Sequence, residues 1–250
     1  MNILLLLSIA LANFSPIFGQ WPTAKGTETV PKTIIVNGGT KDFGFKRLTA
    51  SSALGDGGLR EGQKPIISAS NGAVIRNLII GPNAADGIHC MDGCTLQNVW
   101  WEDVGEDAAT FRSTNCKNAN FLITGGGARK AHDKVFQFNG GGTVTVKNFV
   151  ADNIGKLGRS CGNCMPQCKN RKFVFENIKV TGVTATLCGI NQNYGDTATI
   201  KNVQISGGST NVCSLFKGND QQKQPSVIRN YKVGEAGDGK NCVVSGTSSG

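Results

Sequence analysis

A four-residue phrase, apolar–polar–Asn–apolar, recurs along this chain and organises its hydrophobic pattern. Its copies are Ile75-Arg76-Asn77-Leu78, Leu96-Gln97-Asn98-Val99, Val146-Lys147-Asn148-Phe149, Phe175-Glu176-Asn177-Ile178, Ile200-Lys201-Asn202-Val203 and Ile228-Arg229-Asn230-Tyr231, with a weaker copy at Cys116-Lys117-Asn118-Ala119. Successive Asn residues fall 21, 20, 30, 29, 25 and 28 positions apart, so each period reads as one coil of a solenoid. The strings between them, such as Gly142-Thr143-Val144-Thr145-Val146 and Thr197-Ala198-Thr199-Ile200, alternate and are rich in β-branched residues. No long stretch keeps an uninterrupted helical apolar period, which leaves strands and tight turns throughout. The expected fold is all-β: a right-handed single-stranded parallel β-helix, a solenoid of roughly 20–30-residue coils whose strands pair with their equivalents above and below. In it, the recurring Asn takes the left-handed conformation at one turn and stacks its amide on the next. A twisted sandwich does not predict a fixed phase for Asn.

The first residues stand apart from this pattern. Met1 to about Gln20 carries an uncharged apolar run from Ile3 to Ala12, followed by Pro16 and Gly19, and reads as a secretory signal peptide too short to span a bilayer. The remainder, 21–250, has no linker to divide it and is expected to form one domain, a monomer with no membrane segment. Nine cysteines follow the leader, and a secretory route favours disulfides with one thiol left over. Cys161, Cys164 and Cys168 have a zinc-like spacing, but no His lies near to complete a zinc shell.

Charge narrows the partners. The net charge of +9 favours a polyanion, and acidic polysaccharide, nucleic acid and membrane surfaces all qualify on that ground alone. Nucleic acid is disfavoured because aromatic residues make up only 7% and do not interleave with the basic ones.

Two charged strings break the repeat: Trp100-Trp101-Glu102-Asp103-Val104-Gly105-Glu106-Asp107 and Arg129-Lys130-Ala131-His132-Asp133-Lys134. Asp86 precedes Glu106 by 20 residues, close to one coil, so stacking brings the two together. Asp86, Glu106 and Asp107 then make an oxygen-rich site suited to a hard cation such as Ca2+. Neighbours on a regular strand point to opposite faces, so Glu106 and Asp107 both ligate only if the backbone turns there, and Gly105 permits that. Later coils add Lys130 and Lys134, then Lys156 and Arg159. Cations beside a carboxylate-bound metal fit a ligand that is itself an anion bridging the two, such as a galacturonate chain. His89 and His132 flank these strings without a Ser or Cys nucleophile motif and read as turn or supporting residues.

The strings Asn98–Ala108 (NVWWEDVGEDA), Ala85–His89 (ADGIH), Gly125–Lys130 (GGGARK) with Asp133–Gln137 (DKVFQ), and Gly155–Cys164 (GKLGRSCGNC) resemble those of the pectate lyases of polysaccharide lyase family 3. The resemblance implies a parallel β-helix, Ca2+ dependence and the polygalacturonate of plant-wall pectin as substrate. It places metal ligands at Asp86, Glu106 and Asp107, catalytic or substrate cations at Lys130, Lys156 and Arg159, and a basic substrate contact at Arg112. Lys134 is a further candidate substrate contact.

β-Elimination removes the C5 proton of a uronate, which is acidic only when the neighbouring carboxylate is neutralised by a cation and an arginine fork. Lys130 is the expected base, with Arg159 gripping the carboxylate, because an ammonium loses its proton more readily than a guanidinium; the reverse assignment stays open. Two other functions fit the same pattern. One is a galacturonan hydrolase using pairs drawn from Glu102, Asp103, Glu106 and Asp107. The other is a non-catalytic wall-binding solenoid.

Overall fold

The structure, a computed structural model, describes residues 19–250, so the expected leader lies almost wholly outside the described residues. The strands in chain order are β1 (Thr27–Val30), β2 (Ile34–Asn37), β3 (Thr40–Ala50), β4 (Ile67–Ser70), β5 (Ala73–Ile80), β6 (Ile88–Met91), β7 (Cys94–Trp101), β8 (Asp107–Arg112), β9 (Asn118–Phe138), β10 (Gly141–Ser160), β11 (Lys172–Asn191), β12 (Thr197–Gly208), β13 (Asn211–Lys217), β14 (Ser226–Lys232) and β15 (Cys242–Ser249). They wind into a parallel β-solenoid of about 6 turns. One ladder runs β1-β3-β5-β7-β9-β10-β11-β12-β15. A second runs β2-β4-β6-β8 and joins the C-terminal halves of β9, β10 and β11, ending on β13. Among the strands of the described residues only β14 runs antiparallel, folding back on β13 as a hairpin.

The interior is apolar because every second residue of each strand points inward. Phe111, Phe121, Phe136, Phe138, Phe149, Phe173 and Phe175 are almost wholly buried and line up along the axis, with Phe173 stacked on Phe175 at 5.3 Å and 16°. Each such ring contributes about 1.5–3 kcal/mol through burial alone, which accounts for a chain of short coils that cannot bury its apolar face one coil at a time.

The Asn phase recurs in space. Asn77, Asn98, Asn148, Asn177 and Asn202 all have φ between 52° and 57°. Their amides link coil to coil: Asn98 Nδ2 donates to Asn77 Oδ1 at 3.4 Å, Asn177 to Asn148 at 3.0 Å and Asn202 to Asn177 at 2.7 Å. Two expected copies do not belong. Asn118 opens β9 opposite Gly141, and the ladder position of that coil falls to Gly125, since Thr124 pairs with both Gln97 and Lys147. Asn230 sits in the β14 hairpin opposite Ser214. What the turn requires is the left-handed backbone, and Gly supplies it without the Asn signature.

Four disulfides join Cys90–Cys94, Cys116–Cys168, Cys161–Cys164 and Cys213–Cys242, and Cys188 is the free, buried thiol. The zinc-like cluster is therefore divided between two disulfides. Among the described residues no helix is long and apolar enough to cross a membrane.

Candidate active site

The second ladder stacks the charges. Asp107 pairs with Lys134 across β8 and β9, and Lys134 pairs with Lys156 across β9 and β10. Ile88 pairs with Ala109, an offset of 21 residues (109 − 88), and the same offset sets Asp86 beside Asp107 (107 − 86). A parallel column three residues on holds His89, Thr110, Gln137, Arg159 and Gly189. Acidic groups thus occupy the early coils and basic groups the later ones, in one line along the solenoid.

Asp86, Glu106 and Asp107 are buried, and each offers a carboxylate oxygen within 4.8 Å of the others. Glu106 lies in a bend immediately before β8, so the alternation rule does not separate it from Asp107. The bend depends on Gly105, where an added Cβ would stand 2.2 Å from the Ala85 carbonyl oxygen of the preceding coil. His89 Nε2 contacts Asp86 Oδ2 at 2.7 Å and orients that carboxylate. Asp86 Oδ1 and Asp107 Oδ1 are buried without a hydrogen-bond partner. Buried carboxylate oxygens that accept no hydrogen bond are costly, and a hard cation that prefers oxygen ligands suits their chemistry.

Electrostatics agree with that need. Burial pushes the Glu106 pKa up to about 7, aided by Asp86 and opposed by Lys134. Burial also raises Asp107 well above the ordinary carboxylate range, against the pull of Lys134. Lys134 Nζ stands 3.4 Å from Asp107 Oδ1, 3.7 Å from Glu106 Oε1 and 2.5 Å from Asp133 Oδ2. Burial lowers the Lys134 pKa, but Asp107, Asp133 and Glu106 outweigh it and hold the group protonated. Asp133 also accepts from Lys156 Nζ at 2.5 Å, so one carboxylate joins the two lysines.

Beyond Lys134 opens a cleft of about 330 Å³ whose wall includes Asp133, Gln137, Lys156, Arg159 and Phe216. Arg159 is buried with its guanidinium 4.0 Å from the Phe216 ring centre. Burial, assisted by Arg171, lowers its pKa to about 10. A larger depression of about 630 Å³ lies over Asn118, Asn120 and Asn170, and it lacks the convergent carboxylates.

Not every candidate joins this group. Lys130 is 61% exposed and reaches Asp103 at 3.5 Å, in a separate depression that includes His132. Its φ of 57° places it at a turn where the backbone carries the side chain away from the column that Lys134 continues. Arg112 is exposed at the end of β8, over a depression shared with Met91 and Met165. Glu102 is held by Arg47, Nη2 to Oε1 at 2.7 Å and Nε to Oε2 at 2.8 Å, and Asp103 faces Lys130. The four acidic residues of that string therefore split, and only Glu106 and Asp107 enter the site. Asp133, Gln137 and Phe216 were not legible as site residues; the adjacency of Asp133 to Lys134 was the one available signal for the first.

The family model described as pectate lyase matches residues 18–223. This chain belongs to the pectate lyase family. Among its pectate lyase relatives, probable pectate lyase D of Emericella nidulans is 39% identical over 211 residues, covering 83% of this chain and 78% of that protein. Pectate lyase H of the same organism is 38% identical, covering 81% and 76% respectively. Among solved pectate lyases, the catalytic domain of PelI from Erwinia chrysanthemi superposes with a TM-score of 0.71 at 34% identity, covering 89% of this chain and 99% of that domain. PelI in complex with tetragalacturonic acid superposes at 0.69 and 33% identity, covering 88% and 70%. The family corresponds to polysaccharide lyase family 3, and the chain is a lyase on a β-helix.

Proposed function

We propose that this pectate lyase is a secreted, monomeric, calcium-dependent enzyme that cleaves (1→4)-α-D-galacturonan by β-elimination, releasing 4,5-unsaturated oligogalacturonides. The observation that carries the reading is the convergence of Asp86, Glu106 and Asp107, two of whose buried oxygens accept no hydrogen bond, beside Lys134 at the mouth of a cationic cleft. Four disulfides and the apolar leader pattern support the oxidising, extracellular compartment. The net charge of +9 suits a polyuronate partner.

Asp86, Glu106 and Asp107 would hold the calcium ion. When bound, that ion would supply charge neutralisation for the sugar carboxylate and for Glu106 and Asp107, two of the three carboxylates that raise the Lys134 pKa; Lys134 acts as base once its proton, still shared with Asp133, is given up. Arg159, with its fork fixed in the cleft wall, grips the uronate carboxylate and stabilises the charge that grows on it as the C5 proton leaves. Lys134 is the base in this reading, in place of the exposed Lys130, because it alone of the two borders both the carboxylate trio and the cleft. The C5–H bond breaks with its proton passing to Lys134 Nζ, its electron pair forms the C4–C5 double bond, and the C4–O bond breaks with the departing oxygen taking a proton from solvent. Lys156, tethered through Asp133, lends its positive charge to that departing oxygen.

The test is a product assay on polygalacturonate with and without chelator. Ultraviolet absorbance of an unsaturated product that vanishes on chelation and returns with calcium is the expected result. New reducing ends without absorbance would instead select the hydrolase, and binding without cleavage the non-catalytic solenoid.

A further inference from the structure

Behind Arg159 lies a buried polar network, which the reaction described above does not use. Arg159 Nη1 donates to Asn191 Oδ1 at 3.0 Å and, more weakly, to the Gly189 carbonyl at 3.3 Å. Asn191 is wholly buried at the end of β11, and its Nδ2 donates to the Cys161 carbonyl at 2.7 Å. That second bond decides which way the amide faces. A flipped amide would set its NH2 against a guanidinium and its oxygen against a carbonyl, leaving two like-signed contacts in a dry site.

The anchor of Asn191 is itself held. Arg171, also wholly buried, donates from Nη2 to the same Cys161 carbonyl at 3.3 Å, and from Nη1 to the Phe138 carbonyl at 3.1 Å. Its charge is met by Asp196, with Nη2 to Oδ2 at 3.0 Å and neither side chain exposed. Asp196 in turn accepts from the Asn191 backbone N–H at 3.3 Å. Asn191 is thus gripped at its backbone and at its amide, leaving one atom, Oδ1, directed at Arg159. Gly189 completes the socket: a Cβ there would stand 2.9 Å from Arg159 Cδ and 2.9 Å from the Phe216 ring.

We infer that Asn191 is a positioning residue for the elimination: it fixes the guanidinium of Arg159 in the cleft wall, and the Arg171–Asp196 pair fixes Asn191. The inference rests on the reading of Arg159 as the group that grips the sugar carboxylate. Its physical content is that a long, rotamer-rich side chain in a partly open cleft gives up orientation unless one donor is pinned, and only a pinned fork presents its remaining N–H groups to the carboxylate at no cost at the moment of reaction. Asn191 lies 32 residues from Arg159 in sequence and touches it only through the coil stack.

A double-mutant cycle tests it, with kcat/KM on polygalacturonate as the readout and calcium affinity by calorimetry as the control. Asn191→Ala is expected to lower kcat/KM on the order of tenfold to a hundredfold, the range of a hydrogen bond to a charged group, with calcium affinity unchanged. In an Arg159→Ala background the same substitution is expected to cost less than about twofold, because its only route to the reaction is gone. A merely structural role would cost the same in both backgrounds, and that result overturns the inference. So does wild-type activity in either Asn191→Ala or Arg159→Ala. Should Asn191→Ala fail to fold, Asn191→Ser, whose short hydroxyl does not reach Arg159, carries the same expectation and the same overturning result. A wild-type enzyme that forms no unsaturated product sinks the lyase reading itself, whereas an active wild type with an indifferent Asn191 variant sinks only this one.

Discussion

Asp107 and Lys134 are register partners on adjacent coils, and their charged atoms stand 3.4 Å apart. The residue one coil earlier on that column is acidic and the residue one coil later is basic, so a single line of the solenoid changes sign at this pair. A metal bound on one side and an anionic sugar on the other would meet there.

Lys134→Ala is expected to lower kcat by about 10²–10⁴ at saturating calcium, the usual worth of a positioned general base. Lys130→Ala, by contrast, removes an exposed ammonium that faces Asp103 and should leave turnover within about threefold. Initial rates of unsaturated product formation at several pH values decide it; the opposite ranking would return the base to Lys130.

Calcium affinity should depend on pH in a defined direction. With its pKa raised to about 7, chiefly by burial, Glu106 is protonated in the metal-free protein at mildly acidic pH and must release that proton to ligate. Affinity therefore rises as pH increases through about 7, and the raised Asp107 extends the rise in the same direction. Isothermal calorimetry near pH 6 in buffers of different ionisation enthalpy should register proton release on binding; a buffer-independent heat would contradict the assignment.

The acidic string should divide functionally as it does in space. Asp107→Asn is expected to weaken calcium binding by at least about tenfold through loss of a charged ligand. Glu102→Gln breaks an ion pair with Arg47 on the outer face and is expected to keep turnover within about threefold, with a stability change of about 1 kcal/mol or less. Paired calcium titrations and thermal melts make the comparison, and a dead Glu102→Gln would reopen the hydrolase reading.

Neighbouring glycines of the ladder turn on β9 should behave oppositely. Gly125, at φ 66° between Asn98 and Asn148, has the conformation Asn adopts elsewhere in the ladder; an added Cβ would stand 2.6 Å from Asn98 Oδ1, a side-chain tip that can turn aside, so Gly125→Asn should fold at a cost of about 1 kcal/mol. Gly126→Ala sets a Cβ 2.1 Å from the Val99 carbonyl oxygen and should destabilise by more than about 2 kcal/mol. Chemical denaturation of the two variants gives both numbers.

Much of the architecture was legible in one dimension, because each coil repeats the same physical problem. An Asn that must adopt the left-handed region, followed by an apolar residue that must turn inward, leaves the same phrase wherever the chain closes a coil; hence Asn77, Asn98, Asn148, Asn177 and Asn202 were readable by eye. The reading failed where the physics has a second solution, as at Gly125, and where the phrase fell in a hairpin, as at Asn230. The carboxylate trio was legible for a related reason, since a spacing near one coil length stacks residues.

Register was not legible. Lys130 and Lys134 belong to one charged string, and only the pairing of Asp107 with Lys134, and of Lys134 with Lys156, sorts the central lysine from the outlying one. Coil lengths vary by several residues, so a position known to within a turn in sequence is unknown to within a face in space, where each residue alternates sides. The sequence by itself therefore determined the solenoid, the disulfide-rich chemistry and the acidic half of the site. Tertiary structure alone decided which cations face it and what holds Arg159, because those contacts join residues from different coils through a register that no local pattern encodes.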